Sequence, residues 1–465
     1  MTAQRFPKGV RFDRQAPWRV EVRATAALAA PLALIELAHM AIMTTDVVMM
    51  GWLGAETLAA GSLSSHYYFL FSVFGFGVLG AVAPILAQHL GARRFREVRR
   101  SLRHGAWMAL LLALPCALAI WHSEAILVLL GQDPALAAAG QSYLRWMVLG
   151  QLAGFWHFLL AEFLAAHARP RASVVVTLLG IGLNALFNYT LMFGRFGFPA
   201  LGLEGAGIGS ALVNLLMFAA LLAFVLRDRR FRRYRLLGGF WRIERSQLLE
   251  IVRLGAPIAT TEVAEMGLFL VSTLLMGLIG TTALAAHAVA AQCCALAFVV
   301  TMGASQAATV RVGRAVGAGD PAGAARAGWI AIGLGLAVAV LPSLAFALFG
   351  EAIVRLFLDP TAPGDAAAAR LAVSLLLIAA LFQLADSAQM VARGALRGLK
   401  DTRGPMVIAL VGYWGLGLPA AALLGLTLGF GAPGVWAGLA LGLVAAGLLQ
   451  VLRFRQRSRL AAAVA

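Results

Sequence analysis

Between Arg403 and Arg453 the chain carries no charged residue. Residues 105–121, 173–193 and 327–350 are equally bare. Each run is long enough to cross a hydrocarbon core of about 30 Å, which takes about 20 helical residues. In lipid every backbone polar group must be bonded within the chain, so such runs are held to helical structure. Only 13% of the residues are charged and 61% are hydrophobic, whereas a soluble globular domain is roughly a quarter charged. The fold class that follows is all-α: a polytopic helical membrane protein.

The formal net charge of +17 raises the question of nucleic acid, and its distribution answers it. Lys8 and Lys400 are the only lysines; the remaining basic residues are arginines gathered in short segments between apolar runs. That is the positive-inside pattern. No RNA-binding aromatic motif or zinc spacing accompanies it, so no nucleic-acid partner is expected. Cys116, Cys293 and Cys294 lie in apolar runs with no C-x-x-C framework, and they read as small packing residues. The apolar run that begins at Ala24 is too long for the core of a cleavable signal and reads as an anchor.

Twelve spans are expected, at about 24–50, 57–88, 104–122, 139–166, 172–194, 202–226, 247–279, 283–318, 324–348, 368–398, 405–428 and 433–453. Alternate connections are arginine-rich, notably 93–103, 227–245 and the tail after Arg453, while the others are nearly free of basic residues. Both termini are therefore expected in the cytoplasm. The domain reading is a basic N-terminus at 1–23, an N-terminal six-helix bundle at 24–226, a basic linker at 227–246, a C-terminal six-helix bundle at 247–453 and a tail at 454–465.

A repeat underlies this division. "MGWLGAETLAAGSL" from Met50 matches "MGLIGTTALAAHAV" from Met276 at an offset of 226; the same offset carries Pro31 onto Pro257 and Gly91-Ala92 onto Gly317-Ala318. Gln151-Leu152-Ala153 meets Gln383-Leu384-Ala385 after a further shift of six. Six spans per repeat is an even number, so both halves enter the membrane in the same sense. Transporters built from two such bundles bind near the repeat interface and rock about it. Pro31 and Pro257 are expected to kink spans one and seven.

Ionisable side chains inside spans are expensive and mark function by default. Glu36 and Asp46 fall in span one, Glu162 in span four, Glu262 and Glu265 in span seven and Asp386 in span ten. No basic residue lies within a helical turn of Glu265 or Asp386, and Arg393 and Arg397 are expected to snorkel to the cytoplasmic surface. A desolvated carboxyl with no cation nearby holds a proton readily; sodium or a lipophilic organic cation can supply the missing charge instead. Competition for one carboxylate couples two fluxes, which is the chemistry of an antiporter. Asp46 reads as a separate N-terminal site, with Asn184 and Asn188 as amide partners from one face of span five. Glu36 and Glu162 read as structural first. His39, His66, His157 and His287 read as isolated. Met40, Met43, Met49, Met50, Met266, Met276 and Met302 fall near the candidate cavity, where thioethers make adaptable walls.

Several stretches resemble the multidrug and toxic compound extrusion (MATE) transporters, in particular their NorM-like group. They are "TTDVVMMGWLGAETLAAGSL", "PILAQHLGARR", "GAPIATTEVAEMGLF", "AAHAVAAQ", "ATVRVGRAVGAGD" and "LFQLADSAQMVARGALRGLKDT". The resemblance covers essentially the whole chain. It implies twelve transmembrane helices in two pseudo-symmetric six-helix bundles, in a bacterial inner membrane. It implies export of cationic, amphipathic drugs or toxins by a monomer among membrane lipids, with sodium or protons as the coupling ion and no cofactor. By position Glu265 and Asp386 resemble the family's cation-site carboxylates, with sodium as the metal they would hold, and Asp46 resembles its proton-coupling aspartate. Glu262, Glu36, Asn184 and Asn188 are secondary polar positions. Phe382 stands where NorM-like proteins can have a tyrosine, so a hydroxyl is missing near the cation.

Three other functions fit the residues less well; one, a channel, would need rings of charge or a filter loop, and the sequence shows neither. A lipid-linked precursor flippase would need cavity arginines, and no arginine lies deep inside spans one, two, seven or eight apart from Arg311 and Arg314 near one end. An enzyme would need a catalytic motif, and neither H-E-x-x-H nor G-x-S-x-G occurs.

Overall fold

The structure is a computed structural model and describes residues 18–232, 234–236, 238–359 and 365–463, with side chains to 460. Residues 1–17 of the expected basic N-terminus lie outside the described residues. Among the described residues twelve helices are long and apolar enough to cross a membrane. We number them α1 (Trp18–Trp52), α2 (Ala55–Gly91), α3 (Phe95–Trp121), α4 (Pro134–Ala166), α5 (Arg171–Phe193), α6 (Gly202–Arg227), α7 (Arg245–Ile279), α8 (Thr281–Gly317), α9 (Pro321–Leu348), α10 (Ala366–Gly398), α11 (Arg403–Thr427) and α12 (Gly431–Leu460). Each coincides with one expected span. Among the described residues there is no strand.

Two compact units form, and they divide elsewhere than at 227–246. One is Leu34–Ala259; the other joins Met1–Ala33 to Thr260–Ala465. The cuts fall inside α1 and α7, two residues past Pro31 and Pro257, which both lie within their helices. A proline removes one helical hydrogen bond and crowds the preceding turn, so it marks where a long helix can change direction. Residues 33 and 259 are themselves separated by the repeat offset of 226.

The backbone repeats as faithfully. Gly54 and Gly280, at that offset, begin α2 and α8 with φ of 121° and 141°. Only glycine takes such angles without strain. Arg93 and Gly319 at the same offset, and Ala168 and Lys400 at 232, are all left-handed. Packing repeats too. A Cβ on Gly77 would lie 2.5 Å from the Ala259 Cα, and one on Gly303 2.5 Å from the Ala33 nitrogen. Within each unit, then, a bare glycine backbone receives the first leg of a leading helix. Helices in lipid gain little from hydrophobic exclusion, so such close backbone approach supplies much of their association.

One span departs from its partner. α11 opens into two π-helical segments, Val411–Gly417 and Leu423–Thr427, on either side of Leu418–Ala422 with Pro419 near its start. The sequence "VGYWGLGLP" supplies the cause: three glycines and a proline weaken the regular hydrogen-bond ladder. Single π turns are frequent at functional sites.

Candidate functional site: buried carboxylates in each unit

In the unit Leu34–Ala259, α1 brings Asp46 to α5 and α6. Asp46 Oδ1 accepts from Asn184 Nδ2 at 2.9 Å and from Asn188 Nδ2 at 2.6 Å. Its Oδ2 accepts from Ser210 Oγ at 3.2 Å. Both asparagines are fully buried and Asp46 is nearly so. The i, i+4 spacing on α5 places the two amides on one face, as the sequence predicts. Ser210 was not foreseen: a serine in "GIGSALV" has no periodicity or partner motif to distinguish it. Donors alone surround the carboxylate, and no cation is among its hydrogen-bond partners. The charge is stabilised by dipoles, which leaves the group able to exchange a proton.

On the outer face of α1 and α5 lies an open groove of about 510 Å³ whose lining includes Thr44, Val48, Met49, Trp52, Tyr189 and Phe196; Asp46 and its hydrogen-bond partners are not part of that lining. That volume suits a drug-sized molecule. Thr44, Val48 and Trp52 recur every fourth residue, so one face of α1 forms a wall.

Deeper along α1, Glu36 and His39 occupy neighbouring turns. The His39 and His157 rings meet edge to face, with centroids 6.1 Å apart. The histidines read as isolated in sequence are thus a pair, because α4 brings its His157 against α1.

In the other unit the two acids of α7 face α10. Arg393 Nη1 donates to Glu265 Oε2 at 2.8 Å, and Arg397 donates to Glu262. Arg393 is only 1% exposed, so the expected snorkelling of both arginines is corrected: they pair with acids within the bundle. The reason is geometric. Acids spaced i, i+3 on one helix meet guanidinium groups spaced i, i+4 on its neighbour, and both pairs close at once. Complementary spacing in "TTEVAE" and "MVARGALR" was the signal available. An unpaired buried charge would be far more expensive than this pairing.

Asp386 is buried within electrostatic reach of Glu265 and Arg393. Phe382 packs edge to face on Phe269 and Trp436 rather than facing a polar group. A hydroxyl nevertheless arrives from another helix. Tyr413, in the first π segment of α11, is fully buried, receives a hydrogen bond from the Gln389 amide and lies near Asp386 and Glu265. Nothing in the α10 sequence could have announced it. Sodium needs oxygen ligands; here the Glu265 carboxylate is matched by Arg393. Among the described residues no three His, Cys, Asp or Glu side chains converge as a metal site. Arg311, noted near the end of span eight, pairs with Glu21 of α1.

Twelve spans, two repeated units and carboxylates sealed inside each define a class: a multi-pass membrane transporter. A family model described as MatE matches residues 31–190 and again 257–423, its two starts separated by the repeat offset. A Mesorhizobium japonicum protein named "Probable multidrug resistance protein NorM" is 44% identical over 446 residues, covering 96% of each chain. A Brucella suis protein of the same name is 42% identical over 450 residues, again 96% of each. The chain belongs to the MatE family. Among solved structures, a mutant of the Vibrio cholerae MATE transporter VcmN superposes with a TM-score of 0.86 at 17% identity, covering 95% of this chain and 98% of that one. A eukaryotic MATE transporter gives 0.83 at 19%, covering 96% and 98%. These likenesses establish the fold.

Proposed function

We propose that the protein is a multidrug exporter of the bacterial plasma membrane, a monomer surrounded by lipid. It moves cationic amphipathic compounds outward in exchange for protons, by alternating access with both termini cytoplasmic. The observation that carries this reading is Asp46, buried and held by two amides and a hydroxyl with no cation bonded to it. Such a carboxylate gains a proton when water retreats and loses it when water or a competing cation arrives. The open groove on α1 and α5 supports the substrate class: Trp52 and Phe196 are exposed aromatics in its lining that can meet a cation, as Arg195 already does over the Tyr189 ring. Asp386 is the second coupling acid, because Arg393 and Arg397 already neutralise Glu265 and Glu262. The same neutralisation favours protons over sodium, and no cofactor is needed.

The test is ethidium efflux from proteoliposomes under a pH gradient and, separately, a sodium gradient. The pH gradient alone is expected to drive efflux. Asp46→Asn and Asp386→Asn should abolish the coupled flux at normal expression. Efflux driven only by sodium would overturn the choice of ion, and wild-type rates in both variants would overturn the site.

A further inference from the structure

The C-terminal tail sorts its arginines by face. Arg453 Nε and Arg457 Nε lie 2.8 and 3.1 Å from Asp401 Oδ2. Arg455 and Arg459 alternate with them and form no ion pair among the described residues. Both instead line a cavity of about 300 Å³ with Ala325, Trp329 and Ser458. No acidic residue lines it. Two unpaired guanidinium groups one helical turn apart are a fork suited to phosphate oxygens.

The surface leading to this cavity is apolar. Leu441, Val444, Leu448 and Leu452 are all exposed. With Arg455 and Arg459 they fall within about 40° of one line along α12, at 100° per residue. On the facing helix, Ala325, Trp329 and Gly333 recur every fourth residue, and the space beside Gly333 is open. The Trp329 ring is braced edge to face by Phe454, with centroids 5.7 Å apart. Indole belongs at the headgroup level of a membrane. A leucine stripe running into an arginine fork beside a fixed indole matches one kind of molecule: acyl chain, then phosphate.

We propose that the α9–α12 notch binds an anionic phospholipid. Its phosphate is held by Arg455 and Arg459, and its chain lies along Leu452, Leu448, Val444 and Leu441. A free phosphate ion shares the headgroup chemistry but gives the leucine stripe no role, so the lipid is the occupant. The site is independent of what the protein transports.

The test is native mass spectrometry of the full chain released from mixed phosphatidylglycerol and phosphatidylcholine bilayers. Phosphatidylglycerol should be retained preferentially. Each arginine near a membrane surface contributes about 1 kcal/mol to anionic-lipid attraction, so R455Q/R459Q should lower retention roughly thirtyfold and R459Q alone roughly fivefold. The double variant R229Q/R230Q removes as many exposed arginines elsewhere and should lower retention clearly less than R455Q/R459Q does. Three results would overturn the proposal: equal retention of the two lipids by the wild type, an equal loss in R229Q/R230Q, or displacement of the lipid by millimolar inorganic phosphate.

Discussion

The two units share a backbone plan but hold their acids in opposite ways. Around α1, Asp46 is bonded by neutral donors, Asn184, Asn188 and Ser210. Around α7, Glu262 and Glu265 are bonded by guanidinium groups. The repeat offsets make the divergence explicit. Glu36 corresponds to Glu262 and His39 to Glu265; His157 corresponds to Gln389 and Gly154 to Asp386; Asp46 corresponds to Ser272. The two copies therefore share one acid position, Glu36 and Glu262, and differ at the other three. The comparison separates two roles. A carboxylate matched by arginine is fixed, because its charge is already neutralised. On the proposed reading, a carboxylate matched only by dipoles, or left beside an occupied pair as Asp386 is, is the one that exchanges its proton.

The largest effect should come from breaking a matched pair. Arg393→Gln leaves Glu265 buried without its guanidinium, and removing one partner of a buried pair costs about 3–5 kcal/mol. The detergent-solubilised variant should melt well below the wild type, and E265Q/R393Q should recover most of the loss. A wild-type melting point for the single variant would remove the contrast between the units. Next come the paired glycine contacts. Gly77→Ala and Gly303→Ala should each destabilise by about 1–3 kcal/mol, as overpacking does, and by similar amounts. A large effect at only one position would mean that the two first legs are not packed equivalently. Asp46→Asn should change stability least among these, by about 1 kcal/mol or less, since the amide oxygen still accepts from Asn184 and Asn188 and its NH2 can donate to the Ser210 hydroxyl oxygen. Its effect belongs to transport.

The smallest expected effect lies outside the spans, at Glu244. Hydrogen bonding from Arg100 holds its carboxyl below the usual 4.5. Arg103 joins the cluster, and His104 Nε2 accepts from the Glu244 backbone N–H. A depressed carboxyl contributes stability that is present above its unfolded value and lost as pH falls through its folded one. Glu244→Gln should therefore flatten the slight acid sensitivity below about pH 4.5 and leave the neutral melting point nearly unchanged. A clear loss at neutral pH would show that the clamp matters more than a solvent-exposed pair should.

Much of this architecture is legible in the sequence because lipid restricts the options. Uncharged runs specify helices, and a duplicated "MG…G…LAA" specifies the repeat. The i, i+4 asparagines of α5 give half of the Asp46 site directly. What escaped depends on which helices become neighbours. Ser210 and Tyr413 are ordinary residues until α6 and α11 set them beside acids. Arg393 looked like a snorkelling cation because seven residues separate it from Asp386, whereas its partner is on α7. The unit boundary at Pro31 and Pro257 was visible only as two kinks, since a basic linker is the more conspicuous feature.

The central claim is that Asp46 and Asp386 carry exchangeable protons while Glu262 and Glu265 are fixed by arginine. It is tested most directly by counting protons released when ethidium binds the purified protein in weakly buffered solution. Release is expected from the wild type, a reduced count in Asp46→Asn and in Asp386→Asn, and none from the double variant. Undiminished release from that double variant would contradict it.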